Sequence, residues 1–269
     1  MMYYHTLSFG SNSLENMKRS GVKMISVLMS VYNESLDEIQ QSIDSILLQS
    51  YREFELIIVL DNPNYTEGRN LLKQYSEKDA RIHIYVNKVN VGLALSMNRA
   101  AKHAKGEFLL RMDADDVCFP NRFQIEYDLI SKGDYDLVCG NFEFIDEDNN
   151  ILSENTIVYT DSQLNALLPY RNIIHHPTVI MTTKIFNEVG GYRNYLCAQD
   201  YDLWLRLKCA GARMHMMLEK MIQYRVRSKS TTSQKRYKQS CTLEYIRALY
   251  RKQRMRGYSY EGYLMYLEK

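Results

Sequence analysis

The stretch ISVLMSVYNESLDEIQQSIDSILLQSYREFELIIVLDN, residues 25–62, decides the fold. Two short apolar runs, at residues 24–31 and 54–60, are rich in β-branched residues and are typical of buried strands. The apolar residues between these runs recur every three or four positions, which predicts an amphipathic helix that Asn33 or Ser35 can cap. The stretch therefore predicts a strand, a helix and a second strand.

The same alternation continues along the chain. The further predicted elements are a helix around residues 71–75, a strand at 82–86, a helix at 93–104, strands at 108–112, 135–141 and 178–181, and a helix from Tyr201 onward. Strands that alternate with helices fold into an open, mostly parallel sheet flanked by helices on both faces. The predicted fold class is therefore α/β.

Composition excludes several classes of protein. The chain has 269 residues, of which 45% are hydrophobic and 25% are charged, as in an ordinary globular protein. No apolar run approaches the roughly 20 residues of a membrane-spanning helix. The five cysteines are scattered and form no CxxC pair, and the N-terminus has no apolar signal region. We therefore expect neither a disulfide framework nor a thiolate zinc site, and we expect a cytoplasmic location.

The C-terminal end is strongly basic. Residues 223–269 contain 12 Lys and Arg against 3 Glu, although the whole chain has a net charge of only +2. An apolar stripe of Leu243, Ile246 and Tyr250 accompanies the charge. Two interpretations stay open: contact with an anionic membrane surface, or a helix packed on the body with its charges in solvent. Nucleic acid is not expected as a partner, because no nucleic-acid motif accompanies the charge.

Polar side chains follow several predicted strands directly. Strand one delivers Tyr32 and Asn33, strand two delivers Asp61, and the string MDADD after residues 108–112 delivers three carboxylates. Ligands bind beyond the carboxyl ends of such strands, so these residues are expected on one rim. Three neighbouring carboxylates repel one another unless a cation lies among them, and carboxylate ligands favour Mg²⁺ or Mn²⁺. The alternative for the string alone is a solvated acidic loop that caps a helix beginning near Pro120.

Up to about Val226 the chain resembles the family 2 glycosyltransferases of the GT-A fold, which transfer a sugar from a nucleotide-diphosphate donor. The resembling strings occur in the family's order: ISVLMSVYNE, SILLQSYREFELIIVLDN, NVGLALSMNRA, KGEFLLRMDADDVCFPNRF, HHPTVIM, GGYRNY and AQDYDLWLRL. The resemblance implies a GT-A-type nucleotide-binding sheet flanked by helices. Seven ordered matches are far more specific than any one of them.

The resemblance also implies a division of the chain. Residues 1–23 would be a polar N-terminal extension, residues 24–226 the glycosyltransferase domain, and residues 227–269 a basic helical tail. Within the domain, residues 24–118 would bind the nucleotide and residues 119–226 the acceptor.

On the nucleotide, the resemblance implies that Asp61 accepts the imide N–H of a uracil or thymine base and that Tyr32 lies against that base. Leu60 occupies a position where the family usually has another acid. From its own sequence context alone, before Asn62 and Pro63, Asp61 is better explained as an Asx residue that caps a turn.

In the acidic string, the resemblance implies that Asp113 approaches the ribose and that Asp115 binds the metal bridging the two phosphates. Asp116 could support either role, and we count it with Asp115 as a metal ligand. A fixed cation would stabilise the negative charge that builds up on the departing diphosphate.

Asp200, in the string AQDYDLW, matches the family's general base for an inverting displacement. Gln199 stands where a Glu is common, and Asp202 is expected to point elsewhere on the same helix. An alternative role for Asp200 is that of a helix N-cap.

Four further residues are candidates for the binding of donor or acceptor. The resemblance implies a phosphate contact from Arg225 and Arg227, at a position where the family often has an Arg-x-His string, and an arginine matches phosphate geometry well. Asn33 and His176 are substrate-binding candidates, although a buried structural histidine is the alternative for His176.

The sequence therefore predicts an inverting, metal-dependent glycosyltransferase that uses Mn²⁺ or Mg²⁺. It would add one sugar, from a donor expected to be UDP-linked, to a glycan or lipid-linked glycan of a surface polysaccharide. It carries no QxxRW string of the kind found in processive synthases. Action at the inner face of the cytoplasmic membrane is expected. The alternative is a degenerate module that binds the sugar nucleotide without turnover.

Overall fold

The computed structural model describes residues 23–226, 236–253 and 255–268. The elements of the first half are β1 (Ile25–Val31), α1 (Leu36–Leu47), β2 (Phe54–Leu60), α2 (Thr66–Lys78), β3 (Ile82–Val86), α3 (Leu93–His103) and β4 (Phe108–Arg111). The predicted strand at 82–86 is confirmed to the residue, and the helix predicted around residues 71–75 is longer than expected. The predicted alternation of strands and helices is therefore confirmed in this half.

The first helix begins where the sequence signals it. Ser35 is the N-cap of α1: its side chain accepts from the backbone N–H of Glu38, and the Glu38 side chain accepts from the backbone N–H of Ser35. This capping box satisfies two N–H groups that a helix end otherwise leaves unpaired. One face of α1 then buries Ile39, Ile43 and Ile46 against the sheet.

The second half is built from shorter pieces. Its elements are β5 (Val117–Cys118), α4 (Arg122–Ile130), β6 (Leu137–Ile145), β7 (Ile151–Glu154), α5 (Asp161–Leu167), β8 (Ile180–Thr182), α6 (Thr183–Glu188), α7 (Gln199–Cys209) and β9 (Met214–Arg225). A 3-10 turn, His176–Thr178, precedes β8, so that strand begins later than predicted. The sequence analysis missed α5 and α6, because helices of six or seven residues are too short for a helical period to show.

All nine strands of the described residues form one sheet, in the order β3-β2-β1-β4-β8-β6-β9-β5, with β7 paired to β6. The strands β3, β2, β1 and β4 are parallel, as predicted. Beyond β4 the sheet is mixed: β8 is antiparallel to both of its neighbours, and β6 is parallel to β9. The prediction of a mostly parallel sheet thus holds for the first four strands only.

Apolar side chains cover both faces of the sheet. Alternate residues of a strand point to opposite faces: Leu28 of β1 belongs to one hydrophobic cluster, whereas Val27 and Met29 belong to the other. The cluster around Met29 packs against α1, and the cluster around Leu28 contains Trp204 of α7. Trp204 is fully buried, as expected for a core residue.

The described part of the basic tail packs on the body. It consists of α8 (Arg236–Arg251), a 3-10 turn and α9 (Tyr260–Leu267). Ile246 and Tyr263 are fully buried in the same cluster as Trp204, and the Tyr263 hydroxyl lies 2.8 Å from the Thr242 hydroxyl. No helix in the described ranges is long and apolar enough to cross a membrane. The packed-helix interpretation therefore describes the apolar face of the tail, and contact of its basic face with a membrane stays a prediction.

If α8 is an integral part of the core, Ile246→Ala should lower the free energy of unfolding by about 2–5 kcal/mol, because it removes a fully buried side chain and leaves a cavity. Urea unfolding followed by circular dichroism measures this. The control is Met265→Ala on α9, where the side chain is 61% exposed and little change is expected. Equal stability of the two variants would show that α8 does not share the core.

Candidate functional site

The carboxyl ends of β1, β2 and β4 lie side by side. Val31 pairs with Leu60 at the ends of β1 and β2, and the backbone N–H of Met112 after β4 donates to the carbonyl of Leu28. The residues that follow these strands therefore share one rim, as predicted. On this rim Tyr32 is 44% exposed, and the Asn62 side chain donates to the Asn33 side chain at 2.5 Å.

Asp61 is almost fully buried, and the loop at residues 87–92 surrounds its carboxylate. The carboxylate accepts from the side chain of Asn87 at 2.7 Å and from the backbone N–H groups of Val91 and Gly92 at 2.9 and 2.8 Å. Gly92 has a φ of 87°, a conformation that favours glycine. A carboxylate has about four acceptor positions, so these three bonds leave room for one further donor. The role of Asp61 in binding a base stays a prediction.

The Asx residue of the turn after β2 is Asn62 and not Asp61. The side chain of Asn62 accepts from the backbone N–H of Asn64 at 3.0 Å, and Asp61 makes no such bond among those described.

Asp113 is paired with a buried arginine. Arg111, the last residue of β4, is only 3% exposed, and its guanidinium donates to the carboxylate of Asp113. This pair was not predicted from the sequence. The signal available was an arginine at the end of a buried strand, where a charge is found only with a partner. The pair holds Asp113 at the rim, and contact with a ribose stays a prediction.

Asp116 lies deeper than the two acids before it. It is 1% exposed; its Oδ1 accepts from the backbone N–H of Arg225 at 2.9 Å, and its Oδ2 is buried with no hydrogen-bond partner. Burial, followed by the charges of Asp113 and Asp115, holds the pKa of Asp116 well above its usual range. The expected repulsion within the acidic string is therefore present.

These residues fit a divalent cation that takes only part of its ligands from the protein. Within the described ranges, no group of three or more His, Cys, Asp or Glu side chains is arranged to hold a metal ion. Mg²⁺ is commonly held by one or two carboxylates together with substrate phosphates and water. Asp115 is half-buried beside Asp116, and a cation there would relieve both the repulsion and the unpaired oxygen. Asp115 and Asp116 thus stay the predicted metal ligands.

Of the two arginines predicted to contact phosphate, the structure describes only Arg225. Arg227 lies outside the described residues. Arg225 is 4% exposed, and each of its five N–H groups has a protein acceptor. A phosphate contact from Arg225 would require one of these bonds to break, so the arrangement does not support that prediction.

Asp200 lies in the first turn of α7, and Ala198, with a φ of 56°, is the N-cap. The N-cap interpretation of Asp200 is therefore wrong. The side chain of Asn172 donates to Asp200 Oδ2 at 2.7 Å. Burial and, more weakly, the charge of Asp113 raise the pKa of Asp200. Asp202 points elsewhere, as predicted, because its fully buried carboxylate is paired with the guanidinium of Arg206.

His176 is a buried structural residue. Its Nε2 lies 2.7 Å from the hydroxyl of Tyr192, and its ring packs edge-on against Trp204. Burial and the nearby charge of Arg111 lower its pKa well below the usual range, so the ring is neutral. The structure thus supports the alternative for His176, and a substrate contact stays a prediction.

Acids from two separate segments lie near one tyrosine. Burial is the main cause of the raised pKa of Tyr224 on β9, and four carboxylates add to it. These are Asp113, Asp115, Asp116 and Asp200. The predicted catalytic acid and the predicted diphosphate site therefore share one environment. No role was predicted for Tyr224, Tyr192 or Asn172: Tyr192 lies within the string GGYRNY, and the other two belong to none of the seven strings.

Comparisons with known sequences agree with this arrangement. The family model described as Glycosyl transferase family 2 matches residues 26–190. The chain is 34% identical over 213 residues to the O-antigen biosynthesis glycosyltransferase WbnJ of Escherichia coli, which covers 77% of this chain and 82% of WbnJ. It is 32% identical over 205 residues to an uncharacterized glycosyltransferase of Methanocaldococcus jannaschii, which covers 76% of this chain and 71% of that protein.

Among solved structures, S. aureus TarS 1-349 in complex with UDP-GlcNAc superposes with a TM-score of 0.60 at 20% sequence identity. The alignment covers 78% of this chain, and the chain spans 60% of the length of the crystallised TarS chain. At this identity the likeness concerns the fold alone, and it confirms the predicted fold class.

Asp61→Asn should lower the free energy of unfolding by about 1–3 kcal/mol. The amide oxygen can keep the two bonds that Oδ1 accepts, but the new NH₂ group then faces the N–H of Gly92. Urea unfolding measures the loss, and Asp134→Asn, at an exposed position, is the matched control. If Asp61→Asn were as stable as this control, the carboxylate would not organise the loop.

Proposed function

The chain belongs to glycosyl transferase family 2, as its motifs predict, and from this we propose that it transfers a single sugar, with inversion, from a UDP-sugar to a glycan acceptor of a surface polysaccharide. The observation that carries the proposal is the match of the family model to residues 26–190. The charge of Asp113 is also one of the causes that raise the pKa of Asp200, as expected for two acids of one site. Asp200 is predicted to act on the acceptor and Asp113 to contact the donor, so the two partners of the displacement would meet in one site. The similarity to WbnJ, an O-antigen glycosyltransferase, supports the type of product.

Asp200 is the proposed general base. It would take the proton from an acceptor hydroxyl while that oxygen attacks the anomeric carbon, and the bond from that carbon to the diphosphate breaks on the opposite face. Its raised pKa makes it a stronger base than an ordinary aspartate. Asn172 donates to one carboxylate oxygen at 2.7 Å and so helps to orient the carboxylate toward the acceptor hydroxyl.

The donor would lie along the rim formed by β1, β2 and β4. Tyr32 is exposed enough to lie against a base, and Asp61 has one acceptor position left for its imide N–H. Asp113 would face the ribose. The complex of TarS with UDP-GlcNAc supports a uridine nucleotide, and UDP-hexose and UDP-N-acetylhexosamine are the proposed donors.

Asp115 and Asp116 would hold Mn²⁺ or Mg²⁺. When bound, this cation would supply the positive charge that stabilises the departing diphosphate. A diphosphate carries negative charge into a rim of carboxylates, so the donor and the cation are expected to bind together.

The acceptor is proposed to be a lipid-linked glycan at the inner face of the cytoplasmic membrane. Support comes from the basic residues of α8 and of the segment after it that stay exposed while Ile246 is buried: Lys238, Arg251, Lys252 and Arg256. Each basic side chain near an anionic surface contributes about 1 kcal/mol to binding.

The second candidate function is a degenerate module that binds the sugar nucleotide without turnover. Leu60 and Gln199 stand at positions where the family usually has an acid, and neither side chain is one. Both side chains are buried, Leu60 fully and Gln199 with 9% exposed. Asp200 is nevertheless present in the first turn of α7, and the measurement of its variant decides between the two candidates.

Asp200→Asn should lower the rate of transfer by about 10²–10⁴-fold, the usual contribution of a general base, while the Kd for UDP with Mn²⁺ stays nearly unchanged. Transfer is measured as UDP released from UDP-sugars with a panel of lipid-linked oligosaccharides, and binding by calorimetry with Mn²⁺ and then with EDTA. Asp134→Asn is the control, with unchanged transfer. Unchanged transfer by Asp200→Asn would remove Asp200 from the mechanism, and a wild-type protein that binds UDP but transfers nothing would favour the degenerate module.

The pH dependence should report the same group. Asp200 must be ionised to accept a proton, so kcat/KM should fall as the pH is lowered through its pKa. Because burial raises that pKa, the midpoint should lie above the value of about 3.9 for an ordinary Asp. The residual activity of Asp200→Asn should lack this acid limb. A midpoint at or below that of an ordinary Asp would contradict the assignment.

A further inference from the structure

Arg225, the last residue of β9, connects three separate parts of the rim. Its Nε donates to the backbone carbonyl of Asp115 at 2.9 Å, and its Nη2 donates to the side chain of Gln41 on α1 at 3.0 Å. Its backbone N–H donates to the carboxylate of Asp116 at 2.9 Å. The two acids predicted to bind the metal are thus both bonded to one buried residue.

The remaining bonds of Arg225 go to the turn between β6 and β7. Its Nη1 donates to the backbone carbonyls of Asp146 and Glu147 at 2.9 and 3.3 Å, and its Nη2 donates to the side chain of Asn149 at 2.7 Å. Three oxygens of one short turn therefore converge on one guanidinium.

This turn is held in shape by its own bonds. The Asp146 carboxylate accepts from the backbone N–H groups of Asp148 and Asn150 and from the side chain of Asn150, at 2.8–3.0 Å. Asn149 has a φ of 67°, in the left-handed region that Asn tolerates. A turn fixed in this way offers fixed acceptors to Arg225.

We infer that Arg225 is a positioning residue: it ties the backbone of Asp115 and the carboxylate of Asp116 to the β6–β7 turn and to α1, and so sets where these two acids face the metal and the diphosphate. This inference rests on the proposed function for the identity of the bound species. Arg225 would make no direct bond to phosphate, because all five N–H groups of its guanidinium already donate to protein oxygens.

A lysine cannot replace this link. A guanidinium presents five N–H groups in a planar fork, whereas an ammonium presents three from one point. Arg225→Lys keeps the positive charge but cannot reach Asp115, Gln41 and the turn together. Residues that orient metal ligands typically change metal affinity about 10–100-fold when replaced.

The experiment compares the wild-type protein with three variants. Arg225→Lys removes the fork; Asn149→Gly removes one acceptor from the turn while glycine keeps the positive φ. Asp148→Ala is the matched control, because Asp148 is an exposed residue of the same turn. Each protein is titrated with UDP plus Mn²⁺ and with UDP plus EDTA by calorimetry. Amide hydrogen exchange of the peptide containing Asp113–Cys118 is measured without ligand, and thermal unfolding confirms that each variant is folded.

We expect Arg225→Lys to weaken Mn²⁺-dependent UDP binding about 10–100-fold and Asn149→Gly to weaken it less, with UDP binding in EDTA unchanged. Exchange in the Asp113–Cys118 peptide should become faster in both variants and should be unchanged in Asp148→Ala. If Arg225→Lys does not fold, Asn149→Gly decides by the same criteria.

Unchanged exchange in a folded Asn149→Gly protein would overturn the inference. So would a loss of UDP binding in Arg225→Lys that Asn149→Gly does not share, since that pattern belongs to a direct phosphate ligand. A wild-type protein that binds no UDP with Mn²⁺ would defeat the proposed function instead, and the hydrogen exchange would still decide whether Arg225 positions the acids.

Discussion

Repulsion among carboxylates is the constraint on which the rest of this site depends. Asp113, Asp115 and Asp116 lie within four residues of one another, and Asp200 joins them from a helix far along the chain. Burial disfavours ionisation and like charges nearby add to the effect, which is why the pKa of Asp116 and that of Asp200 are both raised. Such a cluster is stable only where positive charge is supplied.

The scaffold supplies part of that charge from beneath the rim. Arg111 pairs with the carboxylate of Asp113 from the end of β4. Arg225, at the end of β9, donates from its side chain to the backbone carbonyl of Asp115 and from its backbone N–H to the carboxylate of Asp116. Both arginines are nearly inaccessible, so their charge acts within the protein and is only weakly screened by solvent. Some negative charge of the carboxylates is left uncompensated, including that at the unpaired Oδ2 of Asp116, and a cation would bind there.

The sequence was sufficient to predict which acids lie on the rim, but not which residues hold those acids in place. Parallel strands place their carboxyl ends together, so the acids after β2 and β4 could be predicted to meet. Bonds between distant segments leave no local pattern, and Asn172 could not be connected to Asp200 in advance. Residue type alone was not enough at Arg225. An arginine near acids suits a phosphate, and only the structure shows that all five N–H groups of this guanidinium already have protein acceptors.

The same repulsion joins the two halves of the proposed reaction. The charge of Asp113 is one cause of the raised pKa of Asp200, although the two residues belong to opposite halves of the domain. The register of β1, β2 and β4 places the acidic string on the rim, whereas the first turn of α7 carries Asp200. Positive charge bound beside the acidic string would offset that of Asp113 and so lower the pKa of Asp200 toward its ordinary value. The protonation of the proposed base would then depend on whether the donor and its cation are bound.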